Sequence, residues 1–134
     1  MITLNLLQFI ENHELGEINK DLFWQKMTLG KIGVYISSIG NPTTRGNRTM
    51  TSFEMYSRGT NDVDGYKRLE AIVKLLNASY SVCTLPSVSI VEGDTTIHAD
   101  EVENITIMPC STISNGGLDD NGRIIWTATG TIYQ

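Results

Sequence analysis

At 134 residues the chain suits a single domain, residues 1–134, with one core. Its 40% apolar and 19% charged residues are those of a soluble globular protein, and no apolar run approaches the roughly 20 residues that span a bilayer. The formal charge of −5 argues against a non-specific nucleic-acid binder, which would be basic. The stretch from Met1 to Glu11 has no basic n-region and no small-residue cleavage site, so synthesis and use in the cytoplasm are expected. Cys83 and Cys110 then read as small buried hydrophobes, with a disulfide or a reactive thiol as the alternative.

In chain order, Thr3 is a candidate cap for a short helix whose Leu6, Leu7 and Ile10 share a face, with Leu15 and Ile18 packing as the chain leaves. Phe23 to Leu29 is a possible short strand and Gly33 to Ile39 a better one. Gly40 to Arg48 has no apolar residue and is punctuated by Pro42 and Gly46, which predicts a projecting loop. The return strand, Thr49 to Arg58, alternates, with Thr51, Phe53, Met55 and Ser57 on one face. Gly59 ends it. Thr60, Asn61 and Asp62 can cap the central helix, where Tyr66, Leu69, Ile72, Val73 and Leu76 form an apolar stripe and Asn77 is a stop.

Beyond the helix, Ser81 to Leu85 and Val88 to Val91 are short strands parted by Pro86, which suggests an edge or a kink. Glu92 to Glu101 reads as a turn or second loop. Val102 to Ile113 reads as a strand interrupted at Pro109, and Ser114 to Arg123 as a reversal with Asn121-Gly122 as a tight turn. Ile124 to Tyr133 closes the chain with Ile124, Trp126, Ala128, Gly130 and Ile132 on one face. The sum is an α+β fold: a mixed, mostly antiparallel sheet with one major amphipathic helix on a face and a short N-terminal helix.

Chemistry-bearing patterns are weak. Asn61 to Gly65 resembles a calcium loop, but Thr60 and Ala71 fall where the first and last carboxylate ligands belong, so helix capping is the better account. Asp119 and Asp120 are adjacent carboxylates on a turn, a place that ordinarily faces solvent. His13 and His98 stand alone, no zinc spacing occurs, and no Gly-x-Ser-x-Gly elbow or phosphate loop is present. No catalytic site, metal or cofactor is therefore expected. The remaining candidates are Asn41, Arg45, Asn47 and Arg48. Two forked cations in a neutral polar segment suit contact with a negatively charged partner surface, against the simpler reading of a solvated tip.

Two passages then carry a resemblance: Phe53-Glu54-Met55-Tyr56-Ser57-Arg58-Gly59 leading into Tyr66-Lys67-Arg68-Leu69-Glu70-Ala71-Ile72, and Leu118-Asp119-Asp120-Asn121-Gly122-Arg123 before the last strand. With the order of elements, they make most of the chain similar to the minor capsid and tail-terminator (tail-to-head joining) family of long-tailed bacteriophages. The resemblance implies a structural virion protein, assembled in the host cytoplasm, that forms a hexameric ring. Such a ring caps the tail tube, ends its polymerisation and joins tail to head. The implied partners are other copies of the chain, the tail-tube protein, a head-completion protein, and genomic DNA passing through without specific binding. The alternatives are another head–tail connector, such as a head-completion protein or tail-tube relative, and a small cytoplasmic binding domain or enzyme unrelated to phage.

Overall fold

The computed structural model describes residues 2–28, 30–79 and 83–134, and its first element, α1 (Ile2–Asn12), is buried on nearly every side of its first two turns. Leu4, Leu6, Leu7 and Ile10 are wholly inaccessible. A helix apolar all round belongs inside, and α1 lies between the sheet and a separate hairpin. Thr3 is not its cap. It sits inside the first turn, and its hydroxyl accepts the Trp24 indole N–H at 3.0 Å, which would otherwise be buried without a partner. Asn5 Nδ2 donates to the Pro86 and Asp100 carbonyls at 2.9 and 2.8 Å, so a buried amide ties the helix to two turns.

The sheet order is β1 (Leu22–Trp24), β2 (Gly33–Arg45), β3 (Arg48–Arg58), β9 (Ile124–Tyr133), β7 (Val102–Ile107) and β4 (Cys83–Leu85), with β8 (Ser114–Leu118) also on β9. Every pairing is antiparallel except β1 with β2. The expected strand at Phe23 to Leu29 is thus only three residues long and begins at Leu22; Leu29 lies outside the described residues, as do Ser81 and Val82 of the strand expected at Ser81 to Leu85. The segment Glu92 to Glu101 is not a loop. Thr95–Ala99 forms β6, which pairs with β5 (Val88–Glu92) in the separate hairpin, where Val88 and Ile90 turn inward and the polar residues outward.

The fold is α+β, with both helices on one face. There β2 buries Val34 and Ile36, β3 buries Phe53 and Met55, β7 buries Ile105 and Ile107, and β9 buries Ala128 and Ile132. The central helix, α2 (Asp62–Ala78), covers them with Leu69, Ile72 and Leu76, each worth about 2 kcal/mol of burial. Asn61 is its N-cap, its side-chain oxygen accepting the Asp64 N–H at 2.9 Å, while Asp64 reaches back to the Thr60 N–H at 2.9 Å. Tyr66 departs from the expected stripe. Gly65 takes the contact position instead: a Cβ at Gly59 would lie 2.2 Å from the Gly65 nitrogen, so the strand end and the first helical turn touch backbone to backbone. Tyr66 is rotated outward, edge-on to Trp126 at 5.2 Å.

Cys83 and Cys110 are free and half-buried. Burial raises both thiol pKa values, that of Cys110 to about 11, which leaves the thiols protonated at neutral pH. Alkylation of native protein should therefore be slow at both and become rapid on unfolding; quantitative labelling within the dead time at pH 7, followed by mass spectrometry, would contradict this. A charge on the α2 stripe should be far more damaging. Leu69→Asp or Ile72→Asp places a carboxylate against the sheet at a cost of about 3 kcal/mol or more, so neither variant should melt cooperatively near the wild-type temperature.

Candidate functional site: a projecting β arm

The segment predicted as a loop, Gly40 to Arg48, is a strand-paired arm. Beyond Ile39↔Ser52 the ladder breaks and resumes at Thr43↔Met50, Thr44↔Thr49 and Arg45↔Arg48, leaving Gly46 and Asn47 as the turn. Three residues, Gly40, Asn41 and Pro42, stand opposite Thr51 in a bulge. Pro42 has no N–H to give a ladder, and Gly40 has a φ of +63°, so both fit the break. The Thr residues past it are good strand formers and restore pairing. Every residue from Gly40 to Arg48 is exposed.

Of the four residues singled out from sequence, Arg45 and Arg48 are brought directly opposite each other. Asn47 lies beside them in the turn, and Asn41 is set apart in the bulge. Like charges at paired positions cost stability, and Arg48 relieves some of this by leaning back onto the sheet. Its Nη2 donates to Thr106 Oγ1 at 3.1 Å and its guanidinium lies 5.6 Å from the Tyr133 ring centre. Arg45 has no ion-pair partner among the described residues. The arm extends a sheet face that faces away from the helices. On that face Tyr35 stacks on Tyr56 at 4.7 Å, Glu54 and Thr131 are half-buried, and Thr129 is exposed. The Tyr56 hydroxyl donates to Glu54, which with burial pushes its pKa up to about 12.

The two sequence passages singled out above meet in space at the far end of β3. Asp119, whose side chain is 3% exposed, is not the solvent-facing turn carboxylate expected from sequence; Asp120 is. Asp119 Oδ2 lies 3.1 Å from Arg123 Nε and 3.8 Å from Arg58 Nε. Its Oδ1 accepts the Arg123 and Asn121 N–H groups at 2.8 and 2.9 Å. Arg58 in turn donates to the Lys31 and Thr28 carbonyls, and Arg123 to the Gly59 carbonyl. Asp62 completes the junction, accepting the Ile124 N–H at 2.8 Å while its carbonyl accepts the Trp126 indole. Arg58-Gly59 and the Asp119 to Arg123 turn are the sequence signal of this clamp.

His98 is not isolated either. It bridges Ser89 Oγ at 2.7 Å and Asp100 Oδ1 at 2.9 Å across the β5–β6 hairpin. Asp100 is 94% exposed, so water competes for its bond to His98. His13 closes α1, its Nδ1 bonded to the Phe9 carbonyl at 2.8 Å. Among the described residues no group of His, Cys, Asp and Glu is arranged to hold a metal, and no helix is long and apolar enough to cross a membrane. No protein-family model matches the chain, and no curated protein matches it in sequence.

The clamp predicts acid sensitivity. The Arg123 N–H, the Asn121 N–H and the Arg123 guanidinium outweigh desolvation and hold the Asp119 carboxyl below its usual 3.8; the Thr60 N–H and Arg68 do the same for Asp64. A depressed folded-state pKa contributes stability that is present above the unfolded value and lost as pH falls through the folded one. The melting temperature should thus be flat in pH until about pH 4 and fall below it. Asp119→Asn should melt lower at neutral pH and show a shallower acid slope, measured by thermal denaturation across pH 2 to 7.

Proposed function

We propose that this chain is a structural virion protein of a long-tailed bacteriophage, forming a ring that caps the tail tube, ends its polymerisation and joins tail to head. The observation that carries this reading is the arm. A paired ribbon with two arginines at its tip continues past the pairing of Ile39 with Ser52, and its β2 side, Gly40 to Arg45, is exposed throughout. Such an arm suits contact with another subunit or with the tube. The resemblance of the Arg58-Gly59 and Asp119 to Arg123 passages to tail-terminator proteins supplies the class of assembly. Ring closure would also explain how a domain with a solvent-facing sheet face avoids open-ended growth. The excess of acidic residues is compatible with DNA sliding past without adhering.

In this reading Arg45 and Arg48 meet carboxylates of a neighbouring ring subunit or of the tail-tube protein, Asn41 and Asn47 supply uncharged hydrogen bonds, and a head-completion protein takes the opposite ring face. No catalytic step is assigned. The double variant Arg45→Ala with Arg48→Ala should lower the melting temperature by no more than about 5 °C, since exposed cation–π and hydrogen-bond contacts are worth on the order of 1 kcal/mol. In complementation of a phage lacking the wild-type gene, that variant should yield overlong tubes or unjoined heads and tails under the electron microscope. Normal tails and normal infectivity would remove the arm from the function. Label found on the portal of filled heads instead of on tube ends would favour a head-completion protein.

A further inference from the structure

The two ends of β2 carry opposite surface chemistry. Its C-terminal end is the arm, where Gly40 to Ser52 contains Arg45 and Arg48 and no acidic residue. Beside its N-terminal end, where the Val34 N–H donates to the Asp21 carbonyl, lies a groove of about 580 Å³ between the end of α1 and β5. Ile18, Ile90 and Val91 form its apolar side, and Gln8, Glu11 and Glu17 its polar rim. The rim is pre-set: Glu11 Oε2 accepts the Ile18 N–H at 2.7 Å and its Oε1 the Gln8 amide at 3.0 Å. Val91 is 61% exposed. Among the described strands β5 pairs only with β6, and on its other edge the Val91 carbonyl is met only by the Asn19 side-chain amide at 3.5 Å, a long bond that an added strand would replace. Glu92 and Asp94 continue the acidic rim along the hairpin, and from Leu75 to Gly122 the sequence holds no lysine or arginine.

We propose that this groove receives the β2–β3 arm of a second copy of the chain. The inference rests on the ring reading and names the contact that would close it. A ribbon entering beside the open edge of β5 gains backbone hydrogen bonds. Its arginines then meet Glu17 and Glu92 at the rim, where forked guanidinium–carboxylate pairs set register and orientation. The arm cannot fill its own groove, because the ladder from Gly33↔Arg58 to Arg45↔Arg48 holds the two about 34 Å apart. The contact is therefore heterologous, one copy's arm to the next copy's groove, and such contacts make rings when the rotation closes.

Charge reversal tests this. Arg45→Glu with Arg48→Glu, and separately Glu17→Lys with Glu92→Lys, should each weaken subunit association on the order of 100-fold in sedimentation velocity. A chain carrying all four changes should recover it. All four side chains are exposed, and unchanged circular dichroism establishes that each variant is folded. If a reversal pair does not fold, Arg45→Ala and Glu92→Gln ask the same question with smaller changes, each expected to weaken association. Assembly insensitive to either pair, or a four-change variant that stays dissociated, would overturn the arm-in-groove contact and leave the ring reading standing. A wild-type chain that neither self-associates nor binds the ends of isolated tail tubes would overturn the ring reading itself.

Discussion

A carboxylate buried between two arginines sets the frame on which the rest of this molecule hangs. Asp119 leaves water almost completely, which is tolerable only because its oxygens are filled by two backbone N–H groups and the Arg123 guanidinium, with Arg58 beside it. The two arginines come from segments far apart in sequence. Arg58 ends β3 and binds the carbonyls of Thr28 and Lys31, while Arg123 opens β9 and binds Gly59. The clamp thereby fixes where β3 stops, and the contact of Gly59 with Gly65 fixes where α2 starts relative to that stop. Once the first turn of α2 is seated, Leu69, Ile72 and Leu76 have one direction in which to fall. The amphipathic stripe supplies most of the energy, and the clamp supplies the register.

Fixing β3 at one end leaves its other end free to project. Phe53 lies across Gly130 so closely that a Cβ there would sit 2.3 Å from the ring, which locks β3 to β9 at the centre of the sheet. Beyond Thr51 the covering helices end and the ladder continues without a core beneath it. A bulge at this boundary changes the twist just where support is lost. Arg48 keeps one point of contact through Thr106 and Tyr133, and Arg45 has none among the described ion pairs. The β3 side of the arm is therefore tied down as far as Thr49, which exchanges backbone hydrogen bonds with Gln134, and at Arg48, while its β2 side is exposed. Placing two arginines opposite each other there is a local choice that folding alone does not reward.

The parts of the fold that were legible in the sequence are those with one buried face. Thr51, Phe53, Met55 and Ser57 alternate because β3 has helices on one side and water on the other, and the same holds for Ala128 to Ile132. The arm was misread because proline and glycine give one signal for two structures; a loop and a bulge both need a missing N–H and a positive φ. Val88 to Val91 is legible as a strand, whereas its partner β6 is not, because Glu92 to Thr96 are exposed and the period of two that marks a strand is absent there. Tyr66 was placed inward because spacing alone cannot show that Gly65 is the residue in contact. Of the candidate-site residues, Arg45 and Arg48 are visible as charges without acidic neighbours in the segment. Asp119 is not, because a buried carboxylate and a solvent-facing one look alike until the fold brings Arg123, bound to Asp119, against the Gly59 carbonyl 64 positions away.

A ring held by such an arm would have a particular energetic character. Exposed ion pairs and a short added strand are weak one at a time, with surface pairs worth about 1 kcal/mol or less. Two free subunits would then associate reversibly and only at raised protein concentration, because the gain is set against the loss of translational freedom. Bound side by side on the end of a tube, they face each other at high effective concentration, and each contact becomes nearly intramolecular. The last subunit makes two contacts at once, so closure is favoured over an incomplete arc. Weakness of the single contact would in that case be an advantage: rings would close most readily where a tube end gathers the subunits.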